Sequence, residues 1–432
     1  MKINSIILSG LILLVSCSRK DGRVTNEKDY SQYTRLAPGL GKLAQLNRNM
    51  DFWSARLHKD SSDLMAELQV ASMLSKRFSY TGSIDELKTS ERLYRKANLI
   101  NKFGSSSTFR SLAAVCITQH QFRLAKSYLD SALAMGDDKH RTLLMISDVS
   151  LELGDHRLAK EALDKLVDQT SFEVLIRRAK FEDKVNGDLP KAISILENAA
   201  TQNDVKDNAD LFNWVYSNLG DFYGHAGLYK KSYNAYLAVL KNDPEYFHCL
   251  KGIAWLAFSH DRDTKAAENI LNYLKSKQSL PDYDLMLASI ASYKGDKQEE
   301  GARLAAFQEK ALNAKYGAMY NVYLCRLYAD WQKKPAVALE IAEQEVKERP
   351  TPTSYSLLSW AYYVNGDLDN SMRIAKEHVE GFSHEPDAIY RLGMIYKEAG
   401  DKDKAEKYLS IAKNSSFELG PAIQKNIEQA MN

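Results

Sequence analysis

Residues 213–246 read NWVYSNLGDFYGHAGLYKKSYNAYLAVLKNDPEY, and this stretch sets the pattern for the rest of the chain. Tyr216, Leu219, Gly220 and Tyr223 recur at i, i+3, i+4 and i+7, which places them on one face of a helix. Ser232, Tyr236 and Val239 line a second helix in the same way. Gly227 breaks the chain between the two. Pro244, with no N–H and a fixed φ, stops the second one. The unit is a helical hairpin of 34 residues.

Outward from this stretch the same hairpin returns. Ala113, Ser147, Gly220, Ala254, Ala288, Ser359 and Gly393 hold one place in the first helix. Ala125, Ala159, Ala192, Ser232, Ala266, Ala338, Ser371 and Ala405 hold the matching place in the second. Side chains this small let two helices approach closely. Gly-Asp pairs beginning at Gly154, Gly187, Gly295, Gly366 and Gly400 mark the turns, glycine taking a left-handed conformation and aspartate capping the next helix. Three units depart from the pattern. The one from Glu173 puts Lys180 where a small residue belongs, the one from Pro281 puts Glu300 there, and the one over Tyr320 to Arg349 slips by one residue. The polar linker Thr201 to Asp210 is expected to kink the array or divide it into 102–206 and 207–419.

The master unit resembles the tetratricopeptide repeat (TPR), whose pattern W-x2-L-G-x2-Y, A-x3-F, P is met by Tyr216, Leu219, Gly220, Tyr223, Ser232, Tyr236 and Pro244. The resemblance implies an all-α superhelical solenoid of about ten TPR-like helical hairpins. A leading helix and irregular hairpin are expected over 39–101, and a helix over 420–432 is expected to cap the last hydrophobic face.

At the N-terminus Lys2 precedes the apolar run Ile6 to Val15, too short for a comfortable transmembrane helix and shaped like a secretory signal, here 1–16. Leu14-Val15-Ser16-Cys17 resembles the lipobox of bacterial lipoproteins. That resemblance implies lipidation of Cys17, with enough acyl chains for stable anchoring. Ser18 after the cysteine favours the outer membrane, on its periplasmic or surface face. Residues 17–38 are polar, show no helical period and read as a flexible tether. Gly39 to Ala44 matches G-x-G-x-x-A, but no strand precedes it, so it reads as the start of a helix.

A net charge of +2 with no Lys/Arg block gives no footprint for nucleic acid. Beyond Cys17, the thiols Cys116, Cys249 and Cys325 are odd in number and sit in apolar helix patterns, as buried free cysteines do. No His-Glu-x-x-His, Gly-x-Ser-x-Gly, Walker loop or Cys-x-x-Cys occurs, so no enzyme, cofactor or metal is expected. In TPR superhelices the first helices line a concave groove. By that register the candidate partner-binding residues are Trp214, Asp221, His225, His248, Lys251, Trp255, Phe258, Trp360 and Tyr363. Aromatic rings anchor interfaces well, although the same rings could instead pack between neighbouring helices. The expected function is a non-enzymatic scaffold or adaptor lipoprotein of the bacterial cell envelope, taking a protein or peptide in this groove. The alternative is a small-ligand or glycan-binding lipoprotein of an outer-membrane uptake system.

Overall fold

The computed structural model describes residues 22–35 and 41–432 of the 432-residue chain; the signal segment and Cys17 lie outside them. Helices, and no strands, make up the regular structure of the described residues. After a leading helix, Lys42–Lys59, ten antiparallel hairpins follow in order. They begin with Leu64–Thr81 and Ile84–Ile100 and end with Pro386–Glu398 and Lys402–Asn414. No helix among the described residues is long and apolar enough to cross a membrane.

The master hairpin, Ala209–His225 with Tyr229–Asn242, shows why small residues recur. The Tyr236 ring lies between Gly220 of its own hairpin and Gly252 of the next, where an added Cβ would meet it at 2.4 and 2.5 Å. One aromatic ring thereby locks three helices. Ser232 Oγ donates to the Gly220 carbonyl at 2.7 Å across the same crossing, and Ser359 Oγ to the Ser371 carbonyl at 2.8 Å in a later hairpin. The five Gly-Asp turns form as expected. Their glycines have φ between 66° and 83°, and each aspartate accepts the N–H three residues on.

Two of the three departures, those from Glu173 and over Tyr320 to Arg349, share one structural cause; the unit from Pro281 keeps the regular turn, Asp296 N–H to the Ala291 carbonyl, and its buried Glu300 pairs with Lys297 at 2.7 Å. In regular hairpins the residue that caps the second helix donates its N–H to the carbonyl five residues earlier, as Asp155 does to Ser150 and Asp367 to Tyr362. Asp188, Asp263 and Lys334 instead reach six residues back, to Glu182, Ala257 and Tyr328. Two of these three hairpins hold the extra residue in a π-helical turn, at Leu256–His260 and Leu327–Trp331. The insertion accounts for the slip over Tyr320 to Arg349. It also corrects two expected positions: Ala267, fully buried, takes the place assigned to Ala266, and Ala179, also fully buried, takes the place assigned to Lys180.

The coil is wound tightly enough for its turns to touch. Gln278 Nε2 donates to the Ser79 carbonyl at 2.7 Å, Ser279 N–H to Thr81 at 2.9 Å, and Arg123 Nη2 to Lys347 at 2.6 Å. Glu245 accepts the Leu43 N–H at 3.2 Å. The first and last of these contacts join residues 199 and 202 apart, about six hairpins. The linker at 201–210 does not interrupt the core. Val205, fully buried, shares one apolar cluster with Leu196 and Val215 on either side.

Residues 22–35, expected as part of a flexible tether, are docked on the solenoid. The N–H groups of Val24 and Thr25 and the Thr25 hydroxyl all donate to the Asp261 carboxylate, at 3.0, 2.9 and 2.6 Å. Tyr233 donates its hydroxyl to the Asn26 carbonyl at 3.1 Å, and Arg23 pairs with Asp263 at 3.0 Å. The physical reason is the pair Tyr30 and Tyr33, one helical turn apart, which bury their rings in the cluster around Tyr233 and Phe247.

Candidate functional site

The first helices line the inside of the coil, and the rings and charges expected in a groove meet there. A cavity of about 600 Å³ is walled by Trp255, Phe258, Trp360, Tyr363 and Tyr390, with Arg326, Asp330, Asp387 and Arg391 among them. An adjoining cavity of about 450 Å³ is lined by Asp221, His225, Tyr236, His248 and Lys251, and Trp255 borders both. Eight of the nine candidate residues therefore converge on two neighbouring spaces. Trp214 does not line either one: its ring stands edge-on to Phe172, with centroids 6.2 Å apart, and packs between hairpins. Phe258, at 2% exposure, is a wall of the core and offers little contact surface of its own.

The polar groups around the rings are paired, from the buried Arg391 to the His248 and Asp221 side chains, which are 45% and 36% exposed. Asp221 accepts from His248 Nε2 at 2.9 Å and from the Tyr236 hydroxyl at 2.7 Å. Burial pushes its carboxyl up, but the His248 and Tyr236 bonds outweigh this and hold it below the usual carboxylate range. Trp360 Nε1 donates to Asp330 at 2.8 Å, and Arg326 pairs with Asp387 at 3.2 Å. Arg391, buried, donates to Ser356 Oγ at 3.3 Å.

The C-terminal helix Ser416–Met431 does more than cap. Leu419 and Ile427 cover the last hairpin as expected. The same helix also crosses the coil interior to hairpins one turn earlier. The Phe417 carbonyl accepts from Trp255 Nε1 at 3.0 Å and from Ser259 Oγ at 2.5 Å, and the Phe417 ring packs 4.7 Å from that of Tyr229. Gly420 kinks the helix with φ 80° and ψ 162°, and a Cβ there would stand 3.0 Å from the Trp255 ring, so the position needs glycine twice over. Further along, Arg262 Nη2 donates to Gln424 at 2.7 Å, and Lys425 Nζ donates to the Tyr293 carbonyl at 3.1 Å. The chain thus lays a segment of itself on the surface that the sequence assigns to a partner.

Sequence reasoning missed Ser259, Phe417, Glu418, Gly420, Arg326, Asp330, Asp387, Tyr390 and Arg391. Asp387 and Tyr390 were within reach, since they fall at groove-facing places of the last hairpin. Arg326 and Asp330 sit in the slipped hairpin, where counting fails. Nothing local marks Phe417 or Gly420.

Glu418 gives the docked segment a pH response. Burial pushes its carboxyl up to about 7, helped by Glu385, Asp183 and Asp387; His225, 4.0 Å away, pulls the other way. A carboxyl raised on docking favours the docked state fully below its free value near 4.3, and that favour is lost as pH rises through 7. Hydrogen exchange over 416–431 should therefore speed up between pH 5 and pH 8, after correction for intrinsic rates, relative to exchange over 229–242. A Glu418→Gln variant should show no such change. Equal pH responses in the two proteins would remove Glu418 from the account.

Among the described residues no group of three or more His, Cys, Asp or Glu side chains is placed to hold a metal ion. Cys116, Cys249 and Cys325 are buried and unpaired in disulfides.

Residues 387–415 match the tetratricopeptide repeat family model. Among solved structures, the chain is similar to YrrB, described as a TPR protein with an unusual peptide-binding site. Identity is 18% over 46% of this chain and 95% of that one, with a TM-score of 0.27. It is also similar to a tetratricopeptide repeat protein from Parabacteroides merdae, at 17% identity over 61% of this chain and 98% of that one, with a TM-score of 0.34. No curated protein matches the chain.

Proposed function

We propose that this chain of helical hairpins, whose residues 387–415 match the tetratricopeptide repeat family model, is a lipid-anchored scaffold of the bacterial envelope, holding a segment of a partner protein inside its coil. The observation that carries this reading is the peptide already seated there. Phe417 shows how the interior takes a chain segment: its backbone carbonyl is met by the Trp255 and Ser259 donors and its ring by Tyr229. A partner segment would enter the adjoining space of about 600 Å³, where the half-buried rings of Tyr363 and Tyr390 offer apolar area beside paired charges, with the buried Trp360 as the wall behind them. Cys17, acylated, would supply the anchor.

A second reading rests on the size of that space, which falls in the range of small-molecule sites of about 300–1,000 Å³. Its mixture of rings, arginines and carboxylates would suit a polar ligand such as a glycan.

Photocrosslinking in cells from position 251, on the cavity rim, separates the two. A discrete protein adduct is expected, and Trp255→Ala should remove most of it while leaving the helical circular dichroism unchanged. A small molecule retained by the purified protein, with no protein adduct, would support the second reading. Neither adduct nor ligand would count against both.

A further inference from the structure

The docked N-terminal segment has a consequence for how the protein sits on a membrane. Asp261, whose carboxylate is wholly shielded from solvent, accepts from the Val24 and Thr25 backbone, the Thr25 hydroxyl and His260 Nδ1, the last at 2.7 Å. Those bonds fix the chain from Arg23 onward to the turns of the hairpins that contain Tyr233 and Asp263. Tyr30 and Tyr33, at 4% and 8% exposure, then hold the rest of the segment in the core. Cys17 and Arg23 are six residues apart in the sequence, and a chain of that length spans at most about 22 Å. Had the whole stretch to residue 38 been free, its extended reach would have been roughly 70 Å.

The geometry points to a membrane-apposed face: the lipid on Cys17 holds the hairpin turn at Asp263 and Lys265, where the docked segment leaves the solenoid, against the headgroups of the bilayer. This rests on the lipoprotein reading above, and deepens it by assigning the surface that meets the lipid. An allowance of about 22 Å is about two helix diameters, so the neighbouring hairpins have little room to turn over. At the point where the chain leaves the solenoid Arg23 is paired with Asp263, and the exposed Glu27 and Asp29 stand on the same segment as Lys28, so the short tether, and not an excess of positive charge, sets the face.

The test uses the mature lipidated protein in vesicles of phosphatidylcholine and phosphatidylglycerol doped with a nitroxide-headgroup lipid. A fluorophore goes on Lys265→Cys, the three native thiols being buried. Strong quenching is expected. Inserting twenty Gly/Ser residues after Ser18, which leaves the docked segment and Cys17 intact, should remove most of it. Asp261→Asn combined with Thr25→Ala, which frees the segment, should weaken quenching in the same direction. Mass spectrometry of the N-terminal peptide is read on every sample. Acylated protein whose quenching is absent, or is unchanged by the insertion, overturns the face assignment alone. An unmodified Cys17 overturns the lipoprotein reading, and the face assignment falls with it.

Discussion

Tyr236→Ala should lower the unfolding free energy by about 4 kcal/mol, in the range of large aromatic truncations in cores. The ring is 5% exposed and fills the gap between Gly220 and Gly252, first-helix positions of two successive hairpins. Its removal leaves a void whose walls are backbone. They cannot close in, because Ser232 pins the Gly220 turn and both helices are held by their own hairpins. Tyr236→Phe keeps the wedge and loses only the 2.7 Å bond to Asp221, so it should cost about 1 kcal/mol. Denaturant titration of the two variants checks this. Equal losses would mean that the hydroxyl, and not the ring, is what the site needs.

The second large effect is electrostatic. Asp284 is fully buried in the helix Asp282–Lys294, and it meets cations from the helices on either side: Lys275, Lys310 at 3.2 Å and Arg303 at 3.5 Å. Burial pushes its carboxyl up, but the bonds from Lys275 and Lys310 outweigh that and hold it below the usual range. Asp284→Ala leaves three cations facing one another around an apolar hole. Removing one partner of a buried ion pair costs roughly 3–5 kcal/mol. The low end, about 3 kcal/mol, is expected because the cations keep partial access to water. The sign with pH is fixed by the depressed carboxyl. Its contribution is present above the free value near 4 and fades as pH falls through the folded value. Stability of the two proteins should therefore differ most near pH 7 and converge as pH drops below 4. A deficit independent of pH would assign the loss to the cavity.

The repeat itself was legible because its determinants are local. A glycine that turns left-handed and an aspartate that caps the next helix act within four residues, and Gly154-Asp155 or Gly400-Asp401 can be read without the rest of the chain. The π-helical turns were only half legible. The slip over Tyr320 to Arg349 shows in the spacing, but Ala266 and Ala267 are identical side chains, and no count can say which one enters the crossing. The cavity residues on regular hairpins, such as Trp255 and Trp360, followed from register. The docked ends did not. Residues 22–35 have the composition of a linker, and what orders them, the cluster around Tyr233 that takes Tyr30 and Tyr33 and the buried carboxylate of Asp261, lies more than 200 residues away. Phe417 and Gly420 carry no periodic signal, since their meaning depends on Trp255, about 160 residues earlier.

Contacts between successive turns change how the molecule would answer a load. An open solenoid, in which each repeat touches only its neighbours, lengthens like a spring when pulled at its ends, each hairpin splaying slightly from the next. Here Ser279 is tied to Thr81, Lys347 to Arg123 and Gln424 to Arg262. Extension must shear those ties before any hairpin can splay. A coil tied in this way and pulled at its two ends would behave as a stiff strut up to that threshold, and only beyond it as a spring.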